Sequence, residues 1–388
     1  MPPEFTLVAA CCRWPPSPAR DAAVREAAAA GVDWGHVDAV AARHRVEGLV
    51  HDGLLRAGVK PPEAVAAKLA ALAPAIARQN LMQAAESARL DRLFADSGIG
   101  HIFLKGLTLN VLAYGTLGVK KSSDIDIAIA PEGYEAAIRL IRQAGYACED
   151  PGPEASMDEI MASTRRTKHS GWVKGHLFIE LHLSFVDSPR TLRTLSVAAP
   201  RQRVQIAPSI ALDTLAKDEL FAYLCVHGST HAWSRIKWLA DLNALLKDED
   251  GAEIERLYRR SLELGAGRAT AQGLLLCADL LGLALPKALE RELRRDRWTR
   301  FMCRVAMRAM LHGDASTELN EAVLGTVRIH FAHLVMQRGL AYKVSELRRK
   351  FGLDEGNAVS AALLAGPRWL ARRARTRKAV RKAVRKAR

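Results

Sequence analysis

The chain has 388 residues, 49% hydrophobic and 26% charged, with a formal net charge of +15. That length allows two or three domains of about 100–200 residues, and the composition is that of a globular protein with an ample core rather than a disordered or fibrous chain. No uncharged apolar run approaches the roughly 18 residues of a membrane span, and the short apolar run at the N-terminus lacks the basic start of a signal peptide, so a cytoplasmic location is expected.

Residues 1–97 read as helical. Asp21 to Ala30 forms a short helix stopped at Gly31, and Asp33 caps a second that runs to about Ala57 with Val37, Val40, Val46, Leu49, Val50 and Leu54 on one stripe. Pro61-Pro62 opens a long helix, Glu63 to Ala95, with Pro74 as a kink or break. Arg78, Asn80 and Arg89 on this helix either point into the cleft of the stretch that follows or, the preferred reading, lie on solvated helix surface.

The stretch from Gly98 to Pro131 carries the chemistry. Ile99, Ile102, Phe103 and Leu104 form a short apolar strand ending at Lys105-Gly106. Gly106 opens an apolar helix, Leu107 to Tyr114, closed by Gly115. Ile125, Ile127 and Ile129 then alternate with Asp124, Asp126 and Ala128, which puts both carboxylates on one strand face. Two carboxylates this close repel unless a cation lies between them. A divalent metal such as Mg²⁺, bound together with phosphate groups, would remove the conflict. The glycine turn before a helix offers backbone N–H groups to a phosphate. Lys105, Lys120 and Lys121 add charge, and Ser122 and Ser123 add hydroxyls. A strand edge protected by two solvated aspartates is the alternative.

Farther along, Pro131 to Ala144 is an amphipathic helix, and Gly145 to Cys148 begins a strand. Pro151 to Glu159 reads as a polar loop followed by the basic run Thr164 to Lys168 and His169. Trp172-Val173, a Lys174-Gly175 turn and His176 to Phe185 form a hairpin whose second strand puts Glu180 and His182 on one face. Helices follow at Leu215–Gly228, Ala232–Leu246, Glu253–Leu264, Arg268–Leu281, Lys287–Leu311 and Leu324–Arg338. His227 and His231 have the spacing of a zinc pair but lack the glutamate of H-E-x-x-H. They fit better on a polar face turned to a nucleotide, with Arg235 or Lys237 on phosphate and Asp241 orienting a histidine or arginine. The cysteines, at 11, 12, 148, 225, 277 and 303, show no C-x-x-C pair and read as buried free thiols.

The last stretch, Arg368 to Arg388, holds eleven Lys or Arg and no acid; without them the net charge of +15 falls to +4. The basicity therefore belongs mainly to a tail suited to weak contact with nucleic acid or an anionic membrane.

The order strand, glycine, helix, loop, D-x-D resembles the nucleotidyltransferase fold of the polymerase-beta-type superfamily. Within it, the segments LKG, LAYGTLG and SSDIDIAI resemble the uncharacterised bacterial nucleotidyltransferases. Upstream, Asp33-Trp34, Arg43 to Val46 and Arg78 to Asn80 look like that family's helical start. Downstream, IELHLSF (Ile179 to Phe185) and Leu224 to Leu246 look like its later segments, so roughly residues 5 to 310 are covered.

The resemblance implies an α+β fold: a small mixed sheet at 98–207 between an N-terminal helical region (1–97) and a C-terminal helical domain (208–350), then the basic tail (351–388). It also implies Glu180 as the third metal-binding carboxylate, where the family more often has Asp; two-metal phosphoryl transfer asks for such a group as well. His182 is expected to orient a ligand rather than bind metal. The implied reaction moves a nucleotidyl group from an NTP, ATP in the first instance, to an acceptor hydroxyl, with Mg²⁺ or Mn²⁺ held by Asp124, Asp126 and Glu180. Lys105, Gly106, Lys121, Ser122, Ser123, Arg235 and Lys237 would bind the nucleotide. Two departures stand out: Leu107 follows Gly106 where the superfamily often has Gly or Ser, and Lys120-Lys121 replaces an Arg, losing its bidentate fork. The alternatives are a regulatory nucleotide-binding protein, such as a toxin–antitoxin-like or polysaccharide-assembly partner, and an RNA-directed transferase.

Overall fold

The computed structural model describes residues 1–312 and 327–351. Five helices precede the first strand: α1 (Pro3–Cys11), α2 (Pro18–Ala29), α3 (Trp34–His44), α4 (Glu47–Ala57) and α5 (Glu63–Asp96). The middle of the chain runs β1 (His101–Phe103), α6 (Leu107–Tyr114), β2 (Ile125–Ile129), α7 (Tyr134–Gln143), β3 (Ala147–Cys148), α8 (Met157–Thr167), β4 (His169–Lys174), β5 (Leu177–His182), β6 (Arg201–Ala207) and β7 (Ile210–Leu215). Then come α9 (Lys217–Thr230), α10 (Ile236–Leu245), α11 (Gly251–Glu263), α12 (Arg268–Leu281), α13 (Lys287–Arg295), α14 (Arg297–His312), α15 (Val327–Met336) and α16 (Leu340–Phe351).

The strands form one mixed seven-stranded sheet in the order β3-β4-β5-β2-β1-β7-β6. At its centre β1 and β2 are antiparallel, while β2 pairs parallel with β5 and β1 parallel with β7. This is the expected α+β architecture. The sheet continues beyond residue 207, because β6 pairs antiparallel with β7, Val204 opposite Leu212, in a hairpin turned at Pro208-Ser209, with Val204, Ile206 and Leu212 in one core. The alternation of apolar residues there is the signal of a strand.

Local chemistry explains where the helices differ from expectation. The helix capped by Asp33, whose carboxylate accepts from Gly35 N and His36 N, stops at Arg45, which takes a left-handed backbone at φ 56°. A new helix, α4, starts two residues later and packs so tightly that a β-carbon on Gly48 would collide with the Val119 carbonyl oxygen. α5 runs unbroken through Pro74 for 34 residues. The polar loop expected at 151–159 instead leads into α8, started by a capping box: Ser156 Oγ accepts from Glu159 N and Glu159 Oε2 accepts from Ser156 N. The long helix expected at Lys287–Leu311 is divided at Asp296, whose backbone is extended.

Two cores result. One lies under the sheet, where Ile125, Ile127 and Ile129 of β2 and Ile179 and Leu181 of β5 pack with Phe94 of α5 and Ile138 of α7. The other joins the two ends of the chain: Phe5, Leu7 and Leu49 pack with Leu220, Trp233, Leu239 and Leu275. Arg43 ties them further by donating to the carbonyl oxygens of Ala309 and Met310. The N- and C-terminal helices are thus one helical body. Ala128 of β2 packs into it, so the sheet face that carries Asp126 looks toward the helices. The residues from 352 onward, with the basic run Arg368–Arg388, and the expected helix start at Leu324 lie outside the described residues. No described helix is long and apolar enough to cross a membrane.

Candidate active site

The site begins at the turn after β1. Gly106 has φ +71°, and a β-carbon there would lie 2.9 Å from Ser122 Oγ, so the turn accepts only glycine without strain. Leu107 then opens α6, leaving the free N–H groups of its first turn at the cleft. The segment from Gly115 to Asp124 has almost no regular structure of its own and is held from outside. Asn80 of α5, fully buried, donates through Nδ2 to Leu117 O and Lys120 O (2.7 Å each) and accepts from Ser122 N at 2.9 Å. Asn110 of α6 donates to the same Lys120 carbonyl at 2.9 Å.

The surface position expected for Asn80 is therefore corrected: it is the clamp of this loop. Arg78 is exposed as expected, and Arg89 is bound by Glu86.

β2 and β5 bring the carboxylates together. In parallel register Asp126 is the partner of Glu180, and neighbours across a sheet share a face. His182 Nε2 lies 3.1 Å from Asp126 Oδ1 and 3.4 Å from Glu180 Oε2. Lys105 Nζ donates to the same Asp126 oxygen at 2.6 Å. His169 of β4 stands opposite His182, its Nε2 3.8 Å from Glu180 Oε1.

Asp124 precedes β2 rather than lying in it, and lines one pocket with Lys105, Asp126, Thr108 and Ser87. Asp126 is 2% exposed, and its Oδ2 has no hydrogen-bond partner among the described residues. Burial alone would push the Asp126 pKa up, but Lys105 and His182 hold it below the ordinary carboxylate value. Glu180 follows the same balance, with burial opposed by His182 and Lys105, and is also lowered. Burial opposes the charge of Lys105 too, yet Asp126 and Asp124 keep its pKa above the lysine range. Asp126 and Glu180 stay ionised against the charge of Lys105 and against His182, whose pKa burial would lower but their hydrogen bonds raise.

Among the described residues, Asp126, Glu180 and His182 are the one group of three whose ligand atoms are close enough to hold a single metal ion, all within 4.8 Å of one another. The buried, unpartnered Oδ2 of Asp126 is the atom such an ion would satisfy. Among the described residues, His227 and His231 belong to no such group. Their rings meet edge to face at 4.6 Å, His231 stacks on Trp238 at 5.0 Å and Tyr223 stacks on His227 at 5.8 Å. Burial, followed by the charges of Lys168 and neighbouring groups, pushes the His231 pKa down to about 4. This face of the cleft is neutral and aromatic.

Cations stand beyond it. Lys237 projects over Trp238, its Nζ 5.3 Å from the ring centre. Burial, then the charges of Lys120 and Arg45, lower its pKa to about 7, and among the described residues no carboxylate pairs with it. Lys120 is bound to Asp241, which also accepts from Tyr114 OH at 2.9 Å. Asp241 thus fastens the loop to α10, instead of orienting a histidine or arginine. Lys121 is exposed and Ser123 half-buried. The Ser122 hydroxyl is spent on the Asp124 carbonyl at 3.1 Å, bracing the turn. Arg235, half-buried, is the residue at which α10 begins.

The structure lines one pocket with Lys105, Asp124 and Asp126 beside the Gly106 turn, pairs Glu180 with Asp126, and stands Lys237 near enough to Asp124 and Lys105 for their charges to act on it. Sequence reasoning had no hold on Asn80 or Asp241 as fasteners, because each pairs with a group far away in the chain.

No curated protein matches the chain. A family profile described as an uncharacterised nucleotidyltransferase matches residues 30–282, almost two thirds of the chain, from the start of α3 to the end of α12 and so across the whole cleft. The strand–glycine–helix turn, the carboxylates paired across β2 and β5, and this match agree, and the chain belongs to the uncharacterised nucleotidyltransferase family.

Proposed function

We propose that the cleft transfers a nucleotidyl group from a metal-bound nucleoside triphosphate, ATP in the first instance, to an acceptor hydroxyl, releasing pyrophosphate. The observation that carries this reading is the pairing of Asp126 with Glu180 across β2 and β5, beside a glycine turn that opens a helix. Asp124, Asp126 and Glu180 would hold divalent metal, Mg²⁺ or Mn²⁺. Bound there, the metal offsets phosphate charge and activates the attacking oxygen. Gly106 lets the chain approach the β- and γ-phosphates closely, and the N–H groups opening α6 point at them. Ser123, Lys105 and Lys237 add donors and charge around the same phosphates. The acceptor oxygen forms its bond to the α-phosphorus as the bond to the bridging oxygen breaks, and the acceptor proton leaves to a carboxylate or to water. Catalysis of this kind is positioning and charge neutralisation.

A thermal-shift panel with ATP, GTP, CTP and UTP, each with and without Mg²⁺ or Mn²⁺, tests the reading on the wild type and the Asp124→Asn variant. A nucleotide that binds the native state raises its apparent stability. A metal-dependent shift with at least one nucleotide, lost in the variant, is expected. No shift with any of them would overturn the proposal.

A further inference from the structure

We infer that the metal centre takes a nitrogen from His182 into its coordination sphere, beside Asp126 and Glu180, and so favours a first-row transition ion such as Mn²⁺ over Mg²⁺. This deepens the transferase reading of the same cleft and rests on it. The nearest expectation for such a site is oxygen ligands alone, with His182 as a neighbour.

The spacing argues otherwise. Donor atoms about 2.1 Å from one ion lie roughly 3.0 Å apart at right angles and about 3.4 Å apart at the tetrahedral angle. One ligand atom from each of Asp126, Glu180 and His182 lies within 4.8 Å of the other two, and His182 Nε2 stands 3.1 Å from Asp126 Oδ1 and 3.4 Å from Glu180 Oε2, a hydrogen-bond spacing that an ion could take over as a coordination shell. The ring is 3% exposed and cannot swing away to solvent. The second, independent observation is Asp126 Oδ2, buried and without a partner among the described residues. Lys105 occupies only the other oxygen.

His182 can also act as a ligand without rearranging its surroundings. Without an ion, Nε2 carries the proton that lies toward Asp126; an ion taking that place displaces it, and the ring then keeps its proton on Nδ1, which makes no hydrogen bond among the described residues. The carboxylates suit Mg²⁺ and Mn²⁺ alike, and an added imidazole moves the preference toward the first transition row, of which Mn²⁺ is the member closest to Mg²⁺. His169, with Nε2 3.8 Å from Glu180 Oε1, lies outside the group of three and serves as the internal control.

The full chain, stripped of metal with a chelator, is titrated with Mn²⁺, and electron spin echo modulation from nitrogen is recorded on the bound ion. Nitrogen modulation is expected in the wild type and in His169→Gln, and its loss in His182→Gln. Mn²⁺ affinity in His182→Gln is expected to fall about tenfold or more, with Mg²⁺ affinity, read by competition, changing less. Wild-type protein that binds Mn²⁺ without nitrogen modulation, or binds none, overturns the inference, as does modulation that persists in His182→Gln. Should that variant fail to fold, wild type and His169→Gln, both grown with ¹⁵N-histidine, decide the same point: the modulation must change to that of ¹⁵N in both, and an unchanged pattern, or its loss in His169→Gln, overturns the assignment. Nitrogen-coupled Mn²⁺ in a protein whose stability no nucleotide shifts would leave this inference standing and remove the transferase reading.

Discussion

The two walls of the cleft are held in opposite ways. On the sheet side, Asp126 and Glu180 are fixed by strand register, and Lys105 and His182 already lie against Asp126. On the helical side, Lys237 lies over Trp238 and among other cations, and its charge is disfavoured. One side is a set of buried ionised carboxylates, Asp126 with an oxygen left unpartnered among the described residues, the other a cation with no carboxylate paired to it among the described residues. Each is an unfavourable arrangement alone. A ligand carrying both signs, such as the metal and polyphosphate of the proposed reaction, would relieve both at once. The contrast teaches that the cleft is organised around a charge pattern, and it can be attacked from either wall.

The largest effect is expected on the sheet side. Asp126→Asn should abolish nucleotidyl transfer, a loss of at least about 10³-fold, while the far-ultraviolet circular dichroism spectrum stays native. A variant that keeps its turnover would remove the carboxylate wall from the mechanism.

The loop between the walls comes next. Asn80→Ala strands Ser122 N and the carbonyl of Leu117, and loses one of two donors to Lys120 O. Buried groups left unpaired cost about 1–3 kcal/mol each, so a loss of roughly 2–3 kcal/mol should appear in denaturant unfolding, with weaker nucleotide binding. An unchanged midpoint would mean that Asn110 and the Lys120–Asp241 pair hold the loop unaided.

Asn80 also marks the limit of what the sequence discloses. The strand, the glycine turn, α6 and the two aspartates are legible because each is a local pattern of period or spacing. Glu180 and His182 are legible as a shared face by alternation. Their register against Asp126 is not, since it joins strands separated by two helices and a hairpin. Asn80 reads as surface because a lone polar residue on a helix usually is, and only the loop packed on it makes it buried. The apolar stripes of α1 and α12 announce that each helix has a partner without naming it, which is why the two ends of the chain read as separate regions although Phe5 and Leu275 share one core. The α8 capping box, in contrast, is in plain view as Ser156 and Glu159, overshadowed by the prolines before it.

On the helical side, Lys237→Met should separate binding from stability. Without ligand, the wild-type charge is disfavoured by burial and by Lys120 and Arg45. A lysine whose folded pKa is lowered carries its full penalty below that pKa, and the penalty fades as pH rises toward the unfolded value. Removing it should therefore leave the unliganded protein as stable or more stable by up to about 1 kcal/mol at pH 7, with a smaller gain at pH 9. Nucleotide affinity should fall about tenfold, or 1.4 kcal/mol. Calorimetric titration beside thermal unfolding reads both. A variant that loses stability but binds normally would make Lys237 a packing residue and leave the helical wall without its cation.

The smallest effect concerns what positions that wall. His44, at the end of α3, accepts from Ile236 N through Nδ1 at 3.0 Å and so fixes the start of α10, the helix of Lys237 and Asp241. Burial, then the charges of Arg43 and Arg235, push its pKa down to about 3. A histidine whose folded pKa is depressed contributes stability that is present above the unfolded value, about 6.5, and lost as pH falls below it. Between pH 7.5 and 5.5 this amounts to about 1.4 kcal/mol for one such group. His231, also lowered, adds its own share, so wild-type acid sensitivity alone does not isolate His44. The difference between wild type and His44→Gln does: glutamine can still accept from Ile236 N but does not titrate. The stability advantage of wild type over this variant should shrink by about 1.4 kcal/mol across those two pH units in denaturant melts. A difference that stays constant would mean that His44 is already able to protonate in place, and that the start of α10 is held by its apolar contacts rather than by this hydrogen bond.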